Sequence, residues 1–158
     1  MSKITPCLWF DTQAEEAAKF YVSVFKNGKV GQISYYESDD NPSKLPKGTV
    51  LTVTFELFGQ TYMGLNGGPI FPFTEAVSLM VNCDTQAEID EYWAKLTADG
   101  GKESVCGWLK DKYGFNWQIV PSILPELMAS PNSAKVMEAV MKMVKLDIAT
   151  MKRAGEGK

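Results

Sequence analysis

A five-residue string occurs twice in the chain. Asp11-Thr12-Gln13-Ala14-Glu15 returns as Asp84-Thr85-Gln86-Ala87-Glu88, 73 positions later in a sequence of 158 residues. The surroundings match as well. Each copy follows a short apolar run, Cys7-Leu8-Trp9-Phe10 in one case and Val77-Ser78-Leu79-Met80-Val81 in the other. Each opens a stretch with helical spacing, and the stretches close at Gly28-Lys29 and Gly101-Lys102, again 73 apart. A repeat at fixed offset is the mark of a duplicated supersecondary unit. The pattern predicts a strand, a helix and further strands, built twice, in an α+β protein.

The spacing defines the elements. Residues 5–10 read as a strand. Thr12 and Glu15 then form a Ser/Thr-x-x-Glu capping box, in which hydroxyl and carboxylate each satisfy the other residue's backbone N–H. Ala14, Ala17, Ala18, Tyr21, Val22 and Phe25 recur every three or four residues, which is one face of a helix. Residues 30–36 read as the next strand. The polar, proline-containing stretch 38–48 reads as an irregular surface connection, with a lid over a pocket as the alternative. Residues 49–58 alternate strictly, as a half-buried strand does. Gly59-Gln60 predicts a two-residue type II′ hairpin turn, with residues 61–65 pairing back.

Residues 67–74 form the linker, in which Phe71 and Phe73 either pin the chain by apolar contact or cap a pocket. Module one then covers 1–66 and module two 75–121, within one domain of 158 residues. In module two, 76–82 reads as a strand and Thr85 with Glu88 as a second capping box. Ile89, Tyr92, Trp93 and Leu96 make the helical stripe. Residues 103–110 and 115–120 read as a hairpin around Asp111-Lys112-Tyr113-Gly114, its turn fixed by the Asp111 side chain. Residues 122–158 are a helical segment: one turn at 124–128, then a helix from Ser133 to about Met151. Met137, Val140, Met141, Val144, Ile148 and Met151 line one side of that helix as packing, and the tail from Arg153 frays.

Composition narrows the function. The chain has no histidine. That excludes Ser-His-Asp and Cys-His nucleophile systems and His-based zinc motifs. The net charge of -3 and the lack of a basic block argue against nucleic acid. No apolar run approaches the roughly 20 residues that span a bilayer. The first six residues, Met1 to Pro6, carry no signal-peptide pattern. Cys7, Cys83 and Cys106 have no paired spacing, which suits free thiols in a reducing cytoplasm.

At four stretches the sequence resembles a known family. These are Ala14-Glu15-Glu16-Ala17 with Phe20-Tyr21; Asp84 to Asp90 with Tyr92-Trp93; Cys106-Gly107-Trp108-Leu109-Lys110-Asp111-Lys112-Tyr113-Gly114 with Trp117-Gln118; and Lys145-Leu146-Asp147-Ile148. The chain is similar to the glyoxalase/bleomycin-resistance/extradiol-dioxygenase superfamily, the vicinal oxygen chelate proteins. Within it, the resemblance is to the PhnB-like group labelled 3-demethylubiquinone-9 3-methyltransferase. The resemblance implies paired βαβββ modules whose curved mixed sheets form a cup for a substrate. It also implies a homodimer. The second module here looks short, with one strand reduced to a few residues near Lys102.

The resemblance further implies a divalent metal, held in active members by His and Glu on four strands. Carried over here, those positions fall near Pro6, Met63, Ala76 and Gln118, with Glu75 in place of Ala76 if the register slips by one. Proline and alanine offer no ligand, methionine suits soft ions, and glutamine is a weak neutral donor. No metal and no other cofactor is therefore expected. The methyltransferase label also lacks its chemistry: Gly64-Leu65-Asn66-Gly67-Gly68 is the richest glycine stretch, and it opens no helix.

The candidate ligand-binding residues are Gln118, Asn116, Trp108, Cys106, Tyr62 and Glu75. If Gln118 faces the cup, period-two alternation places Asn116 and Val120 beside it, with Phe115, Trp117 and Ile119 behind. Two amides in an apolar cup suit the orientation of a polar small molecule. Trp108 and Tyr62 offer flat surfaces for stacking. Cys106 shares a strand face with Trp108, and Glu75 is the one carboxylate to test as a base. Three readings follow: a metal-free small-molecule-binding protein; a lyase, isomerase or dioxygenase-type enzyme using a divalent metal or a carboxylate base; and a non-catalytic structural dimer.

Overall fold

The computed structural model describes residues 3–157. The signal-peptide reading of the first residues and the fraying of Lys158 therefore fall partly outside the described residues. The chain divides into two compact units, one ending at Phe73 and the next beginning at Thr74.

The first unit runs β1 (Cys7–Phe10), α1 (Ala14–Val24), β2 (Lys29–Tyr35), β3 (Val50–Leu57) and β4 (Gln60–Asn66). Its sheet has the order β1-β4-β3-β2, with β1 parallel to β4 and the other pairs antiparallel. Alternation in β3 sends Val53, Phe55 and Leu57 to the side that α1 covers, and all three are buried. Ala14, Ala17, Ala18 and Tyr21 of α1 are fully buried. Small alanines let the helix lie close to the sheet, where Gly64 leaves no room for a larger side chain: an added Cβ would stand 3.2 Å from that of Ala14.

The second unit repeats this order: β5 (Leu79–Cys83), α2 (Gln86–Thr97), β6 (Lys102–Glu103), β7 (Trp108–Lys110) and β8 (Asn116–Pro121). The sheet order is β5-β8-β7-β6, the same topology. Val81, Cys83, Leu109, Trp117 and Ile119 turn toward α2 and are buried with Ile89, Tyr92, Trp93 and Leu96. Both modules are thus βαβββ, as the repeat predicts. Three helices follow, α3 (Leu124–Met128), α4 (Ser133–Met141) and α5 (Ile148–Gly155).

Several local expectations are corrected. The capping box at Thr85 and Glu88 forms, but the one at Thr12 and Glu15 does not. Asn66, at the end of β4, caps α1 instead, its Oδ1 accepting from the Ala14 N–H at 2.8 Å. The hairpin turn is Phe58-Gly59, not Gly59-Gln60. Both residues have positive φ, 49° and 80°, which makes the turn type I′. Pairing of Leu57 with Gln60 sets this register and keeps Leu57 in the core.

The fifth strand begins at Leu79 rather than residue 76. The strand expected from 103 to 110 is interrupted at 104–107, where Cys106 and Gly107 have φ of 58° and 82°. Gly107 is required there, because a Cβ would stand 2.8 Å from the Ile119 carbonyl oxygen.

The long final helix is two. Residues 142–147 leave the helix because their carbonyls serve the bend at 104–107: Met143 O accepts from Cys106 N–H and Val144 O from Gly107 N–H, both at 2.8 Å. Asp147 then caps α5, accepting from Thr150 N–H at 2.7 Å. The stripe shifts accordingly. Val136, Val140, Leu146, Met151 and Ala154 make the helical core, while Met137, Met141 and Val144 stay exposed. Residues 153–155, expected to fray, belong to α5.

Phe71 and Phe73 pin the end of the first unit by edge contacts to Trp9 and Phe10, at 5.0 and 5.3 Å between ring centres. The 38–48 loop is tied to itself. Asn41 Nδ2 donates to Ser38 O and Leu45 O, and Asp39 Oδ1 accepts from Lys47 N–H.

Candidate functional site

Strand register fixes which side chains share a face. In the second sheet, β7 and β8 pair Trp108 with Gln118 and Lys110 with Asn116, and β5 sets Met80 beside Gln118. All of these lie on the face turned away from α2, since their neighbours Leu109, Trp117 and Val81 face the helix. Phe115 and Trp117 stand edge to edge at 5.5 Å behind the strand. The alternation expected for Asn116, Gln118 and Val120 is the one observed.

A cavity of about 600 Å³ opens on this face at the β6–β7 edge. Asn116, Trp108, Cys106 and Glu75 line it, with Lys102, Lys110 and Met141. Four of the six candidates therefore converge. Gln118 shares the face but not the lining, and its Nε2 donates to Ser78 Oγ at 2.8 Å. Tyr62 belongs elsewhere. It pairs with Phe55 on the α1 side of the first sheet and stacks on that ring at 5.3 Å, with burial raising its phenol pKa.

Asn116 and Glu75 have partners that define their roles. Asn116 is buried, and its Nδ2 donates to Thr74 O at 2.9 Å, which ties the start of the unit to β8. Glu75 is exposed and ion-paired with Lys110 Nζ. Hydrogen bonding from Lys110, a backbone hydrogen bond and the ammonium charge hold its carboxyl below the ordinary value of 4.5. A carboxylate stabilised in its charged form is a poor proton acceptor at neutral pH. Cys106 Sγ lies 3.6 Å from Met141 Sδ. Cys83 is buried behind β5, and burial, with Glu88 and Asp84 nearby, pushes its thiol up to about 12.

Lys102 and Lys110, which the sequence reasoning did not single out, sit opposite each other across β6 and β7. The signal was present in the alternation. Glu103 turns to the helix side, where it accepts from Trp93 Nε1 at 2.6 Å, so Lys102 must turn the other way.

The metal positions are also re-registered. Cys7 stands beside Met63, and Met80 beside Gln118. Cys7 and Met80 are 73 apart. By register, Cys7 and Met80 are the residues beside Met63 and Gln118, whereas Pro6, Glu75 and Ala76 precede their strands. In the first unit a thiol and a thioether, and in the second a thioether and a neutral amide, are donors that a hard divalent ion does not favour. Among the described residues, no group of three or more His, Cys, Asp and Glu side chains converges for a metal. The glycine-rich stretch serves an indole: a Cβ on Gly67 would come within 2.1 Å of the Trp9 ring, and Trp9 Nε1 donates to Gly68 O at 2.9 Å. No described helix is long and apolar enough to cross a membrane.

Two βαβββ units with these mixed sheets define the glyoxalase/bleomycin-resistance fold. The sequence model for 3-demethylubiquinone-9 3-methyltransferase matches residues 2–120. The chain belongs to that family, the PhnB-like group of the vicinal oxygen chelate superfamily.

Among solved structures, the chain is similar to a PhnB protein of Bacillus cereus that carries the 3-demethylubiquinone-9 3-methyltransferase name. The identity is 39% over 76% of this chain and 99% of that one, with a TM-score of 0.67. Protein PA1353 of Pseudomonas aeruginosa shares the fold at 20% identity, over 77% of this chain and 98% of that one, with a TM-score of 0.60. So does the fosfomycin resistance protein FosX of Listeria monocytogenes, solved with Mn(II) and sulfate. It is 14% identical over 80% of this chain and 94% of that one, with a TM-score of 0.55. No curated protein matches the chain.

Proposed function

We infer that this PhnB-like chain binds a small organic molecule in the cavity at the β6–β7 edge, without the divalent metal of the superfamily's enzymes. The observation that carries the reading is the convergence of Trp108, Asn116, Cys106 and Glu75 around about 600 Å³ of space. That volume lies within the range of roughly 300–1,000 Å³ in which proteins hold small ligands. Trp108 supplies a flat apolar wall and Asn116 a fixed amide. The chemistry needed for turnover is poorly supplied. Glu75 is held as a carboxylate by Lys110, and the chain has no imidazole.

The test is native mass spectrometry of the full chain purified without a tag, with metal analysis of the same sample. A retained organic species that is lost in Trp108→Ala supports the reading. Stoichiometric divalent metal would overturn it in favour of the enzyme reading. A Trp108→Ala protein that retains the same species with the same occupancy would place the ligand elsewhere.

A further inference from the structure

We propose that the cavity selects a flat aromatic or alicyclic acid, a carboxylate or similar monoanion, with its ring over Trp108 and its acidic group at Lys102 and Lys110. This rests on the cavity reading above and adds the class of ligand.

The argument begins with the ladder. Lys102 and Lys110 are directly opposed in the antiparallel β6–β7 pair. Like charges in that position repel, so the pairing is locally unfavourable. One carboxylate relieves it: Glu75 pairs with Lys110, whereas Lys102 has no carboxylate partner among the described residues. Glu103 also borders the cavity, but its carboxylate is turned to the helix side of the sheet and accepts from Trp93 Nε1. Two ammonium groups and one carboxylate therefore face the cavity from the same side, with room for a second negative charge.

The next row gives the rest of the ligand. Along β7, Lys110 and Trp108 are two residues apart on one face, a separation of about 7 Å. That spacing matches an acid group attached to a small ring system lying on the indole. Val105 and Met141 add apolar wall beside Trp108, and both are well exposed. Asn116 pairs with Lys110 across the strands, but its Nδ2 is engaged by Thr74 O, which leaves the acidic group to the two lysines. An apolar body and a single acidic head satisfy both rows. A cation would meet two lysines, and a neutral ring would leave the lysine pair unrelieved.

The test compares three probes of one shape: naphthoate, naphthylmethanol and naphthylmethylammonium. Binding to the full chain is followed by isothermal titration calorimetry at low salt. Naphthoate is expected to bind about fivefold to tenfold more tightly than the alcohol, the scale set by one or two partly exposed ion pairs. The ammonium is expected to bind more weakly than the alcohol. Lys102→Ala should abolish the preference for naphthoate and leave the alcohol unchanged. Because the Lys102 side chain is exposed, this variant should melt like the wild type.

Equal binding of all three probes, with loss of all three in Trp108→Ala, would overturn the acid selectivity while leaving the cavity as the ligand site. A naphthoate preference that survives in both Lys102→Ala and Lys110→Ala would overturn the assignment of the acidic group to these lysines. Absence of binding by any probe to the wild type would overturn the proposal, and the mass spectrum of the purified chain would then decide the cavity reading independently.

Discussion

Asn66 Oδ1 accepts a hydrogen bond from the backbone N–H of Ala14 at 2.8 Å, across 52 residues of sequence. It is the cap of α1, and it explains why two identical pentapeptides behave differently. Asn66 pairs with Phe10 at the end of the first sheet's parallel pair, and Pro121 pairs with Cys83 at the corresponding place in the second. A proline has no side-chain acceptor to offer, so α2 must cap itself through Thr85 and Glu88.

The two caps make a discriminating set of mutants. Thr85→Ala is expected to cost about 1 kcal/mol, the usual value of an N-cap hydroxyl. Thr12→Ala, at the matching position, should be nearly neutral. Asn66→Ala should cost more than either, about 2 kcal/mol, because its amide also donates to Val50 O and the residue is buried. Urea unfolding of the three variants measures this, and equal losses for Thr12 and Thr85 would refute it.

Asp111 organises the second hairpin beyond its turn. Oδ1 accepts from the N–H groups of Tyr113 and Phe115 at 2.8 and 3.0 Å, and Oδ2 from Trp117 Nε1 at 2.8 Å. The carboxylate is almost fully buried. Asp111→Ala leaves three donors unpaired and should destabilise the fold by about 3 kcal/mol or more. The near-ultraviolet circular dichroism of Trp117 should change with it. An unchanged melting curve would show that water replaces these bonds.

Glu75 gives a pH prediction. Its carboxyl is lowered in the folded chain, chiefly by the hydrogen bond from Lys110. A lowered group adds stability above its ordinary value of 4.5 and loses it as pH falls through the lower folded value. The contribution is complete once the pH is well above that ordinary value, so Glu75 should impose no pH dependence on ligand binding near neutrality. A carbon-detected NMR titration should give a Glu75 midpoint below 4.5, which Lys110→Ala returns toward that value. A midpoint at or above it in the wild type would contradict the ion pair.

The cysteines should separate by alkylation. Burial first, then the carboxylates of Glu88 and Asp84, push Cys83 up to about 12. At pH 8 it should stay unmodified by iodoacetamide until the chain is denatured, as read by peptide mass spectrometry. Cys106, half-exposed at the cavity beside Met141, should react in the native protein and be protected by a bound ligand.

Much of this was legible in residue order. The repeat at 73 positions gave the βαβββ duplication, because a strand-helix-strand unit is specified by local spacing and every copy must bury the same face. The alternation of Asn116, Gln118 and Val120 placed them on one side for the same reason. Glu103 and Lys102 follow the same alternation, one to each side of the sheet.

The remaining features depend on partners far along the chain. The cap from Asn66 and the break at 142–147 arise because buried backbone N–H groups take whichever acceptor the fold delivers, local or distant. Tyr62 reads as a flat surface for a ligand, yet the register of β3 and β4 sends it against Phe55, because a one-residue step exchanges the two faces of a strand. What the sequence determined by itself was the periodicity, and with it the two sheets and their covering helices. Only tertiary structure decided which cap, which face and which neighbours each side chain met, since those are set by strand register and by contacts between distant segments.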